Sequence, residues 1–336
     1  MSIKRLSSIE SLRIVSILMI IMMHIMGNAY HTDNMINYNL LFIINTIGNT
    51  GVTMFILISG YFGIHPTISK FLKMMAVIWF YSILSYFIGV FYLGDSITLQ
   101  GIEKAIFPIL SRKYWFMTCY MVLFCFAPFL NRIITSLSRR DYTKLLILMF
   151  ILFVISPTIL KFEIMQDGGK GVINFLLAYL IGQYIKVYGF PDIIVKRSTF
   201  ILTTSLAIIF LINYLLSWAK GGAMLPLARD NSFFIIIAAG TIFYKFMNYK
   251  FESSIINYMA EFVFPIYMLQ DICLRIFSPY FRSNSEQDIF IIYLLAGTAI
   301  IIIITLAIEF VRRLLFDKLV NRACAIAENK FGKNLL

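Results

Sequence analysis

The sequence predicts an all-α fold: a polytopic membrane bundle of about ten helices with both termini in the cytoplasm. Three observations predict it. Of the 336 residues, 60% are hydrophobic and only 14% are charged, too few charges for the surface of a soluble domain of this length. Apolar runs of about eighteen residues or more recur along the chain, each long enough to cross a bilayer. The stretches between them are short, so the chain reads as one membrane domain over residues 1–336, and any chemistry must happen within the bundle.

Hydropathy places the spans near 12–29, 39–62, 71–93, 114–134, 144–160, 172–188, 199–217, 231–248, 255–277 and 288–311. An even number puts both ends on one side. Nineteen of the 29 Lys and Arg fall on that side and nine on the other, with Arg13 left inside the first span. The positive-inside rule therefore assigns the termini to the cytoplasm. Lys4 and Arg5 form a basic lead, but no small-residue cleavage site follows, so the first span is expected to be retained.

The net charge of +12 reports topology and not a nucleic-acid partner, because the basic residues sit in short clusters with no aromatic RNA-reading motif among them. Cys119, Cys125, Cys273 and Cys324 show neither CxxC spacing nor a paired framework, and no metal site is expected. The longest outer connection, residues 94–113, holds a short, mildly amphipathic stretch suited to the interface or to a cavity. Asp167-Gly-Gly-Lys170-Gly171 reads as a turn. It lacks the strand before it, and the Ser or Thr after its Lys, that a phosphate loop needs.

The first span carries the chemistry. It reads ESLRIVSILMIIMMHIMG from Glu10 to Gly27 and sets Glu10, Arg13 and His24 among Leu, Ile, Val and Met, where a charge near mid-membrane costs about 2.5–3.5 kcal/mol. On one helix Glu10 and Arg13 meet across a turn. His24, eleven residues beyond Arg13, falls on the same stripe about 16 Å further along. Such a stripe suits an active site, or else an interfacial ion pair with a packed imidazole. His24 is the best base or acyl carrier in the chain, since His31 and His65 fall just outside spans. Arg13 is a natural phosphate partner, permanently charged and fork-shaped, with Glu10 placed to orient it.

Five pieces in order then resemble a known family. Glu10-x-x-Arg13 with His24 is followed by residues 51–62, GVTMFILISGYF. Next come Tyr114-Trp115-Phe116 with Pro128-Phe-Leu-Asn131, and Ala178-Tyr-Leu-Ile-Gly182. Ile256-Asn-Tyr-Met-Ala260 leads last to Ile266-Tyr267-Met-Leu-Gln270-Asp271. Together they resemble the acyltransferase-3 family of integral-membrane bacterial O-acyltransferases over nearly the whole chain. The resemblance implies a membrane O-acetyltransferase, located in the cytoplasmic (inner) membrane, that moves an acyl group from acetyl-CoA, or another acyl-CoA, to a cell-surface polysaccharide or its lipid-linked precursor.

Under that resemblance His24, Arg13 and Glu10 are the catalytic set, and Arg13 with Ser59 binds the acyl-CoA. Trp115, Tyr114, Tyr267 and Asp271 face the acceptor. No bound cofactor is implied, the acyl-CoA being a substrate. Helix packing alone would also account for Ser59-Gly60, and an aromatic belt for Tyr114 to Phe116. Gln270 departs from the family pattern, which often has His there, and an amide cannot titrate. Pro265 is expected to kink its span. The rival reading is a transporter or flippase that uses Glu10, Arg13, His24 and Asp271 as an ion relay. The sequence shows no internal repeat to support it.

Overall fold

Apolar runs separated by short polar turns can satisfy their backbone in a bilayer only as helices. The computed structural model, which describes residues 5–333, is built of them, with no β-strand element among the described residues. Helix α1 is Ser7–Met26, carried on to Ala29 by a short 3-10 turn. The second pass is two helices, α2 (Met35–Gly48) and α3 (Thr50–Phe62), meeting at Asn49. Then come α4 (Ile68–Phe91), α5 (Leu99–Ile106), α6 (Trp115–Ser136) and α7 (Arg139–Phe150), which continues as a π-helix to Leu160. The rest are α8 (Val172–Tyr188), α9 (Asp192–Lys220), α10 (Phe233–Asn248), α11 (Ser254–Met259), α12 (Val263–Ser283) and α13 (Phe290–Phe331).

Seven passes among the described residues are long and apolar enough to cross a membrane. Helices α8 and α10 are apolar but shorter, and α12 carries Gln270, Asp271 and Arg275. Glu261 pairs with Arg5 near the described start and with Arg313, where the apolar run of α13 ends, and the Lys333 carbonyl at the described C-terminal end accepts from the Ile68 amide at the start of α4. Lys4, counted with the inner charges, lies outside the described residues.

Helix α1 packs against α2, α3, α10, α12 and α13. Its seam with the second pass is tight because Gly51 at the start of α3 lies on Ile20 and the Ser16 carbonyl, and Gly48 at the end of α2 on Met23 and the Met19 carbonyl. Helix α3 in turn crosses α8 with Gly60 against the Tyr179 carbonyl and Gly182 against the Leu57 carbonyl. A β-carbon at either glycine would run into backbone. Asn131 on α6 locks the same corner, accepting from Tyr179 Oη (2.7 Å) and Gln183 Nε2 (2.5 Å) and donating to the Ile64 carbonyl (2.9 Å). The stretches holding Gly60, Asn131, Tyr179 and Gly182 therefore also act as packing devices.

Two features differ from the sequence expectation. Helix α13 runs 42 residues instead of ending near 311, about 63 Å at 1.5 Å per residue. Its second half is held to the start of α4 by Cys324 Sγ on the Ser69 carbonyl. The charges that end its apolar run are satisfied, with Glu309 accepting from Tyr81, Arg312 and Arg313. Pro265 does not kink its helix. It sits in the first turn of α12, where its missing N–H costs little, and the bend is the 3-10 turn Ala260–Phe262 before it. The outer connection folds back along α4, with Trp79 Nε1 donating to the Ile106 carbonyl and Lys113 Nζ to the Ser82 carbonyl.

Candidate active site

The antiparallel run of α1 and α3 sets the long axis of a cavity of about 380 Å³. Arg13 and Ser59 share one level, Ile17 and Phe55 the next, and His24 stands beside Gly48 and Asn49 at the far end. The single stripe predicted on the first span is thus the wall of one cavity. Phe116, Tyr120 and Tyr267 make much of the opposite wall.

At the inner end, Arg13 Nη1 donates to both oxygens of Glu10, at 3.1 and 3.2 Å. Glu10 is buried and does not line the cavity, so it holds the guanidinium from behind. No other described residue accepts from Arg13, which leaves Nη2 and Nε for an anion. Ser59 Oγ is turned back on its own helix, donating to the Phe55 carbonyl at 2.9 Å, and so offers its lone pairs more than its proton. Tyr120 stands close to both Ser59 and Arg13.

At the outer end, His24 is accessible to solvent although protein surrounds it, because its open face looks into the cavity. Gln270 approaches the imidazole near enough to interact but not aligned as a full hydrogen bond. Its Oε1 is buried with no donor in bonding geometry. Trp115 lines the cavity instead of facing lipid, ringed edge-on by Phe116 and Phe175 with Lys170 Nζ 5.8 Å from its ring centre. The aromatic-belt reading of Trp115 is therefore replaced by a cavity wall.

The family described as an acyltransferase domain matches residues 6–309. The chain belongs to the acyltransferase-3 family. It is a multi-pass membrane protein and an acyltransferase, with the O-acyltransferase activity of that family. Neither a curated protein nor a solved structure matches it.

Of the residues predicted for this acyltransferase-3 site, Arg13, His24, Ser59, Trp115 and Tyr267 line the one cavity. Tyr114 does not. It precedes Trp115 at the start of α6, so its ring is turned toward α4, 5% exposed, with Oη 3.4 Å from Ser85 Oγ. Asp271 lies one turn beyond Tyr267, outside the lining and exposed, and it reaches His24 and Lys113 only through its field. Neither lines this cavity.

Sequence reasoning missed Lys170 and Asp230, which line the outer end. They lie on two loops, 161–171 and 221–232, that a clasp brings together. Glu163 accepts from Arg229, from Asn231 Nδ2 (2.9 Å) and from the Gly168 amide (2.7 Å). Asn174 Nδ2 donates to the carbonyls of both Gly169 and Asp230. Gly169 has φ +82° and lies against the Asn231 amide, a backbone conformation and a closeness that only glycine accepts. The available signal was this loop, Asp167-Gly-Gly-Lys-Gly, read as a turn alone.

Proposed function

We propose that the protein transfers an acyl group, foremost acetyl, from acyl-CoA on the cytoplasmic side to a hydroxyl of a cell-surface polysaccharide or its lipid-linked precursor. The observation that carries this reading is one continuous cavity with Arg13 at one end and His24 at the other. An acyl-CoA is a polyanion joined through a long, thin arm to a thioester. A guanidinium with two free faces suits the phosphates, and an apolar-walled passage suits the arm.

In the step proposed, His24 takes the proton of the acceptor hydroxyl while its oxygen attacks the thioester carbonyl. The C–O bond forms, the C–S bond breaks, and the departing thiolate recovers the proton from His24. The imidazole acts as its neutral form, the one that can accept the proton.

The test is CoA release from purified protein in sealed proteoliposomes. Free thiol is expected when acetyl-CoA is supplied on the side of the termini, with no ion gradient. Substrate movement that needs a gradient and consumes no thioester from any acyl-CoA would establish the transporter instead.

A further inference from the structure

Resting on the acyl-transfer reading, we propose that Asp230 and Lys170, with the Trp115 ring, form the acceptor subsite, built for an uncharged, hydroxyl-rich ring such as a neutral saccharide. In the triplet Arg229-Asp230-Asn231 the outer side chains are both committed to Glu163, and the Asp230 carbonyl accepts from Asn174 at 3.2 Å. The Asp230 carboxylate is the exception. It is only 3% exposed and lines the cavity, and among the described residues no donor reaches it and no cation lies within ion-pair distance.

An unpartnered buried carboxylate is costly, and burial pushes Asp230 up to about 7 despite the field of Lys170. The clasp does not need that carboxylate. A ligand with hydroxyl donors would satisfy it, because a carboxylate accepts from two hydroxyls at once. Lys170 supplies the complementary donor while resting on the Trp115 ring, whose remaining surface suits the apolar face of a sugar.

Charge selects the ligand class. At the inner end Glu10 pairs with Arg13 from behind the wall, so the guanidinium alone faces the cavity, with Nη2 and Nε fit for phosphate. The outer end combines one anion with one cation, which together repel neither sign and attract neither strongly. A neutral polyol is the ligand whose hydrogen bonds this pair completes. His24, at the same end of the cavity, is within the field of Lys170. A hydroxyl held by Asp230 is thereby delivered toward the imidazole.

The experiment uses inverted membrane vesicles from the native host, which carry its own glycan in the lumen. Acetyl-CoA and, in parallel, succinyl-CoA labelled in the acyl group are added outside. Label is counted in glycan and in free acid, and the donor KM is measured for each variant. Asp230→Asn keeps the shape but loses the charge. It is expected to lower transfer to glycan about tenfold or more, the worth of hydrogen bonds to a charged acceptor. The donor KM and the label released to water should stay within about twofold of wild type.

Asp230→Ala should behave the same, with normal protein in the membrane. His24→Gln should instead lose both products. Wild-type partition in Asp230→Asn, or a parallel fall of glycan and free acid, would overturn the subsite and leave the acyltransferase reading standing. No label leaving either donor in wild-type vesicles would overturn the acyl-CoA reading, and the subsite with it.

Discussion

At its inner end the cavity is bounded by Arg13 and Ser59 on two helices that touch backbone to backbone, α1 and α3, with Glu10 fixing the guanidinium from the same helix. At its outer end two helical residues, His24 and Trp115, face Lys170 and Asp230, which come from loops and owe their positions to side-chain hydrogen bonds. The difference separates precision from adaptability. A site on packed helices holds one geometry for an invariant donor, whereas a clasp of loops varies in sequence without disturbing the bundle and so suits a variable acceptor.

The sharpest way to break this comparison is at the residue common to both functions. His24→Gln should lower acyl transfer by about 10² to 10⁴, the range of general-base assistance, with near-normal protein in the membrane. Among the described residues Gln270 is the one polar side chain within hydrogen-bonding reach of the imidazole, so an amide in its place leaves few polar partners unmet. Acylated glycan in cells carrying the variant measures this. Substantial activity would make His24 a packing residue, since an amide of similar size would then suffice.

Arg13→Lys probes the inner end and should act next most strongly. The charge remains but the two free faces of the fork are lost, so the donor KM should rise about tenfold with little change in kcat. The acceptor side should be untouched. An unchanged donor KM, read from initial rates of CoA release, would remove Arg13 from the donor site.

The two ends also differ in how legible they were. The relation of Arg13 to His24 is a property of one helix, and 3.6-residue periodicity puts both on one stripe before any tertiary contact is known. That Gly48 and Gly51 fit the second pass against this stripe, and Ser59 then falls beside Arg13, follows from small residues on an apolar span. Lys170 and Asp230 meet only because Glu163 and Asn174 bridge two loops, and no periodicity encodes a meeting of loops. Tyr114 and Asp271 misled for a related reason. Each lies on the expected helix, but neither lines the cavity.

Gln270 sharpens the outer end at a smaller scale. Its buried Oε1 faces the imidazole without another donor, so it is a positioning residue for His24 and not a proton carrier. Gln270→Leu keeps the volume and loses the carbonyl. The expected result is a fall in kcat of about two- to tenfold, one hydrogen bond's net worth, with both KM values unchanged. A rise in either KM, or a fall in protein level that matches the lost activity, would make its role structural.

The clasp itself should give the smallest effect at neutral pH and a distinctive one in acid. Burial pulls Glu163 up, but Arg229, the Gly168 amide and Asn231 outweigh it and hold the carboxyl below its ordinary value. Stability from a depressed carboxylate is present above its unfolded pKa and is lost as pH falls through the folded one. The clasp should therefore stay closed from neutral pH down through the ordinary carboxylate range near ~4.3, and open only below it. Glu163→Gln cannot carry the charge at any pH, so its loops should exchange amide protons faster already at neutral pH. Its transfer to glycan should fall about two- to fivefold, the scale of one partly exposed ion pair, while the donor KM stays at the wild-type value. Hydrogen exchange over residues 163–171 and 229–232 reads the first effect and vesicle labelling the second. Wild-type exchange in the variant, or an equal loss at the Arg13 end, would mean that the two ends of the cavity are one rigid unit after all.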